Sequence, residues 1–185
     1  MKSPRITTFH LAAASFTVLV CLGLQQVALA QPFGVGLFGE DVPFGSETSL
    51  SIALSNVADV PLTPSGGTFS GTGSHTVTVT STDVVGYDLY VNTTAGTAMS
   101  NGAHTIPASA NATLAALSVN SWGYNTTGST TNFKGMTTTQ ALINSGTGPF
   151  TSGTPTNVTY GALIDITKSA GTYSVDVTYT AIGRT

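Results

Sequence analysis

His75-Thr76-Val77-Thr78-Val79-Thr80 (HTVTVT) alternates between apolar valine and polar threonine. Successive side chains of an extended chain point to opposite faces, so the valines share one side and the threonines the other. That is a half-buried β-strand, and it decides the fold. The chain around it is dominated by Thr, Ser and Gly, a composition that otherwise suits a disordered, mucin-like stalk. A stalk has no reason to alternate.

The same period recurs along the chain. Residues 85–91 (VGYDLYV) place Tyr87, Leu89 and Val91 on one face, with Asp88 and Tyr90 on the other. In 159–167 (TYGALIDIT) the shared face holds Tyr160, Ala162, Ile164 and Ile166. The clearest strand is the last, where Tyr173, Val175, Val177, Tyr179 and Ala181 alternate with Ser174, Asp176, Thr178 and Thr180. Further strands are expected at 49–54, 114–119 and 121–125. Two hairpins are expected, one through 82–86 and one through Lys168-Ser169-Ala170-Gly171-Thr172, where Gly suits a turn. The nearest approach to a helical period is 137–144 (TTTQALIN), at most two turns. The expectation is an all-β protein: an antiparallel β-sandwich of about seven to nine strands, with little or no helix after its leader.

That leader is residues 1–30. Lys2 and Arg5 form a positive n-region, 11–24 (LAAASFTVLVCLGL) an apolar core, and Ala28-Leu29-Ala30 a small-x-small cleavage site before Gln31. They predict a signal peptide and a protein secreted or held at the cell surface. The one cysteine, Cys21, lies inside the leader, preceded by Val18-Leu19-Val20 rather than by the small residue that lipoprotein processing needs. A domain without cysteine must rely on its core instead of disulfides. After cleavage three basic residues remain, Lys134, Lys168 and Arg184, against all eight acids. That balance excludes a nucleic-acid footprint and docking on anionic lipid. No second apolar run reaches the length of a membrane span. The domain organisation read from sequence is therefore 1–30 signal peptide, 31–46 N-terminal arm and 47–185 sandwich.

The arm (QPFGVGLFGEDVPFGS) is rich in Gly, Pro and Phe and carries Phe33, Phe38 and Phe44. It is read either as a loosely ordered terminus or as an extended segment that adds to a neighbour's sheet, with those three rings as assembly residues. Residues 126–155 read as a long polar loop holding Phe133, Lys134, Met136 and Phe150, and long loops are uncommon unless functional or disordered. Trp122 and Tyr124 lie just before it. With Phe133 and Lys134 they are the candidate binding residues, since exposed aromatic rings beside polar groups suit sugar stacking. A buried tryptophan in the sandwich core is the commoner use of such a ring.

Catalysis finds little support. His75 and His104 are the histidines beyond the leader, neither in a nucleophile motif, and no G-x-S-x-G elbow occurs. His75 opens a strand and reads as a solvated strand end. Asp88, Asp165 and Asp176 fall on outward strand faces, which explains them without chemistry. Gly34, Gly36 and Gly39 match G-x-G-x-x-G but lack the strand and helix that the fingerprint requires. For metals, no H-x-x-x-H or cysteine pair exists, and a calcium site at Glu40-Asp41 or Asp83 would lack a dense acidic loop. No catalytic residues, cofactor or metal are expected.

Gly86-Tyr87-Asp88-Leu89, Thr105-Ile106-Pro107-Ala108-Ser109, Ser121-Trp122-Gly123-Tyr124, Val158-Thr159-Tyr160-Gly161-Ala162 and Ala170-Gly171-Thr172-Tyr173 form a recognisable series. It is similar to a group of small secreted proteins from ultrasmall candidate-phylum bacteria. More distantly it resembles WxL-type surface domains and spore-coat or fimbrial β-sandwiches, which also end in a Gly-Thr-Tyr strand. The resemblance covers residues 66–182. It implies a cell-surface β-sandwich and supplies no catalytic residues. WxL domains carry two W-x-L motifs, whereas Trp122 here is followed by Gly-Tyr and stands alone, so peptidoglycan binding is not carried over. The expected role is structural or adhesive at the cell surface, with no catalysis. Its partners would be other surface-protein subunits, further copies of itself in a homo-oligomer, or cell-wall or host glycans. The alternative is a carbohydrate-binding module built on Trp122 and the 126–155 loop.

Overall fold

The computed structural model describes residues 49–82 and 84–184, which lie in a compact unit spanning Ser46–Thr185. The leader, the arm with Phe33, Phe38 and Phe44, and the candidate acids Glu40, Asp41 and Asp83 lie outside the described residues. In chain order the strands are β1 (Ser49–Leu54), β2 (Thr63–Ser65), β3 (Thr68–Thr82), β4 (Gly86–Thr93), β5 (Met99–Ser100) and β6 (Thr105–Ile106). They continue with β7 (Ala115–Ala116), β8 (Ser121–Asn125), β9 (Asn132–Phe133), β10 (Ala141–Thr147), β11 (Phe150–Asp165) and β12 (Val177–Arg184). No helix occurs among the described residues.

Two sheets form the sandwich. A five-stranded sheet runs β1-β3-β11-β8, with β2 folded back on β3, and a three-stranded sheet runs β10-β4-β12. Every pairing in both is antiparallel. Their eight strands match the seven to nine expected. The alternation in HTVTVT becomes burial: Val77 and Val79 are fully inward, and across the interior Tyr87, Leu89 and Val91 of β4 are equally closed off. Val158, Tyr160, Ala162 and Ile164 of β11 complete the layer. Each fully buried aliphatic or aromatic chain contributes about 1.5–3 kcal/mol, which is how a cysteine-free domain of this size holds together.

The expected hairpins are not hairpins. β3 and β4 sit in different sheets, so the short 83–85 connection carries the chain across the sandwich. β11 pairs with β3 and β8, while β12 pairs with β4, so the segment around Gly171 also changes sheets. Alternation specifies which face a residue occupies, but two strands facing one core show the same pattern whether they share a sheet or oppose each other. Ile166, expected inward, lies beyond the end of β11 and is 63% exposed. The 126–155 loop is also corrected. It contains β9, β10 and the first six residues of β11, and the weakly helical 137–144 contributes to strand β10. The strand expected over 114–119 shrinks to the two residues of β7.

β3 and β11 are the longest strands and reach beyond the three-stranded sheet. There the 58–62 segment covers β3, with Ala58 and Val60 packed against the core. It lies so close that a Cβ at Gly73 would run into the carbonyl oxygen of Asp59. Only glycine permits that approach.

Candidate functional site

The predicted binding residues do not share an exposed face. Trp122 and Tyr124, on β8, point into the core at 0% and 2% exposure. Trp122 Nε1 donates to the carbonyl of Thr97 at 3.0 Å, so its polar edge is satisfied internally. Phe133 is 3% exposed and covers Gly161 of β11, where a Cβ would strike its ring. Lys134 is bridged to Tyr124 by reciprocal backbone hydrogen bonds of 2.9 Å, and its Nζ stands 5.4 Å from the Tyr124 ring centre. The reading of these rings as an accessible sugar-stacking platform is therefore corrected: burial leaves no ring face for a ligand. Asn125 orders the turn that follows. Its Oδ1 accepts from the backbone of Thr127 and Ser129, and its Nδ2 donates to the carbonyls of Ser129 and Asn132.

A polar constellation that sequence reasoning missed lies between the sheets. His75 on β3 is 8% exposed rather than a solvated strand end. Its Nδ1 is 3.2 Å from the Asn56 carbonyl and its Nε2 is 2.7 Å from the Tyr179 hydroxyl on β12. The Tyr179 oxygen lies 2.5 Å from the Tyr160 hydroxyl on β11. A carbonyl only accepts, so in the neutral ring Nδ1 carries the hydrogen. Nε2 then accepts from Tyr179, which in turn accepts from Tyr160. Protonating His75 would make Nε2 a donor to Tyr179 and leave one hydroxyl hydrogen of the tyrosine pair without an acceptor in the network. Burial lowers the His75 pKa, partly opposed by the Asn56 carbonyl. It pushes Tyr160 up to about 12 and Tyr179 higher still. The hydroxyl of Tyr124, also buried, has no hydrogen-bond partner among the described residues. The network ties the two sheets together with neutral groups.

A groove of about 300 Å³ opens beside the 58–62 segment, between Val60, Leu62, Met99, Ile106 and Tyr173, with Asp59 as its carboxylate. Among the described residues no group of three or more His, Cys, Asp or Glu could hold a metal. No helix among them is long and apolar enough to cross a membrane.

The remaining feature is an edge. Sheet margins expose unpaired backbone groups, and proteins blunt them with charges, prolines, bulges or covering loops. The β8 margin is covered by the Tyr124–Lys134 bridge and a bridge from Ala108 to Trp122. The β10 margin is broken by a bulge between Leu142 and Asn144. β12 ends on Arg184, which is ion-paired with Asp88. β1 (SLSIAL) has no charge and no proline, and its register with β3 runs without a shift from Ser49↔Thr82 to Leu54↔Val77. The Ser55 amide donates to the Thr76 carbonyl at 3.0 Å. The backbone groups of an antiparallel strand alternate in direction. By that alternation the N–H and C=O of Leu50, Ile52 and Leu54 face away from β3. Their side chains share the inward side with Val77 and Val79, yet Ile52 is 37% and Leu54 52% exposed, because the opposite sheet does not cover them fully.

No family model matches the sequence, and no curated protein does. Among solved structures, the chain is similar to one from a chaperone–tip adhesin complex described as vital for activation of CFA/I fimbriae biogenesis. The identity is 12% and the TM-score 0.48, over 74% of this chain and 42% of that one. The chain thus spans less than half the length of that structure.

Proposed function

We propose that this protein is exported and serves as a structural or adhesive subunit of a cell-surface assembly, without catalysis. The observation that carries the reading is β1: an uncharged, bulge-free, apolar margin with outward-facing backbone groups is a template for another strand. Export rests on the pattern of residues 1–30. Partners of this kind are other surface subunits or further copies of the chain. The core supports a scaffold role, since its aromatic rings and its histidine are consumed by packing and internal hydrogen bonds. Antibody labelling of intact cells tests the placement, with negative-stain microscopy of the released protein for polymers. Label at the surface with ordered oligomers is expected. A protein found in the cytoplasm, or released only as single copies, would overturn the reading.

A further inference from the structure

We infer that residues 33–38 of one copy dock as an added strand on β1 of a second copy, which deepens the assembly reading and rests on it. The docking edge is the row of outward-facing backbone groups at Leu50, Ile52 and Leu54, deduced from the β1–β3 register and the Ser55–Thr76 bond. Beside it run the half-open side chains of Ile52 and Leu54, and just beyond the strand Val57 is 89% exposed. An occupant must therefore be extended, apolar on one face and uncharged.

The chain preceding β1 contains such a segment. Phe33-Gly34-Val35-Gly36-Leu37-Phe38 alternates apolar residues at 33, 35 and 37 with glycine at 34 and 36. Its period is that of a strand, its six residues equal the six of β1, and it carries no charge. With glycine on the second face, the segment can lie close to neighbouring backbone. Residues 39–48 separate it from Ser49. Folding back on its own β1 would need a hairpin loop of that length, where two to five residues are usual. Reaching a neighbour imposes no such turn, and ten extended residues span up to about 33 Å. Seated this way, each copy gives one strand and receives one, so the contact is head-to-tail and propagates.

The test uses the exported full-length product in three forms: unaltered, Val35→Asp, and Ile52→Pro. The Ile52 amide faces away from β3, so proline there removes an edge donor without breaking the β1–β3 ladder. Leu54→Lys, at an already exposed position, serves as a second edge variant if Ile52→Pro does not fold, with Trp122 fluorescence reporting the core. Light scattering is read for each form alone and for an equimolar mixture. The unaltered protein is expected to associate and each variant alone to lose association. The mixture, with one intact arm and one intact edge, is expected to stop at a one-to-one heterodimer. Variants that associate as well as the unaltered chain, or a mixture of folded variants that stays monomeric, would overturn this docking while leaving assembly through another surface intact. An unaltered chain that remains monomeric at high concentration would overturn both. In that case slow amide exchange at Leu50, Ile52 and Leu54 would assign the segment to its own copy's edge.

Discussion

His75 had no distinguishing signal in sequence. It opens an alternating run, and only the fold brings Tyr179 and Tyr160 to it from strands more than eighty positions away. A hydrogen-bonded ring nitrogen between sheets has measurable consequences. Tyr179→Phe deletes the hydroxyl shared by His75 and Tyr160 and leaves buried polar atoms unpaired, so urea unfolding should show a loss of about 1–3 kcal/mol. The pH dependence follows from the direction of the His75 shift. Its folded-state pKa lies below the unfolded value of about 6.5, so the unfolded chain binds the proton more readily. Stability should be complete above about pH 6.5, fall as pH drops below it, and level off below the folded-state pKa. Unfolding measured across that range should lose this slope in a His75→Gln variant; a slope unchanged by the substitution would contradict the account. Trp122→Ala belongs to the same scale. As a core residue it should cost about 3–5 kcal/mol in unfolding experiments, with no sugar affinity to lose.

At the scale of elements, faces were legible and partners were not. Tyr87, Leu89 and Val91 are inward as their alternation requires, and β1 and β8 fall on the segments 49–54 and 121–125. Both hairpins failed for a physical reason: the short links at 83–85 and around Gly171 turn the chain between sheets, and period two is identical on either side of a sandwich. The long β11 was half-hidden because its first residues, FTSGTPTN, have loop composition; they are held extended by pairing with β3, a long-range contact that no local propensity reports. Phe133 illustrates the same limit. Its burial depends on glycine at 161, on a strand almost thirty residues away. Gly161→Ala should therefore push the ring off the sheet and cost about 1–3 kcal/mol, read as a lower thermal midpoint with Phe133 newly exposed to solvent.

At the scale of the whole molecule, the lack of cysteine beyond the leader argued for a domain held by its core, and the period-two alternation, against the Thr- and Ser-rich composition, argued against a stalk. What composition could not show is which margin of the sandwich stays open, because that depends on where a bulge, a bridge and an ion pair fall on the other edges. Among the described residues β1 carries no such protection, and both it and the 33–38 segment are uncharged. Association through them should accordingly persist when salt is raised from about 0.05 M to about 0.5 M, conditions that screen surface charge strongly. The most direct test of the open edge is light scattering of the purified chain over a concentration series. A mass that climbs beyond the monomer with concentration, and returns to the monomer in Ile52→Pro, is the predicted result. A monomer mass at every concentration would contradict the account.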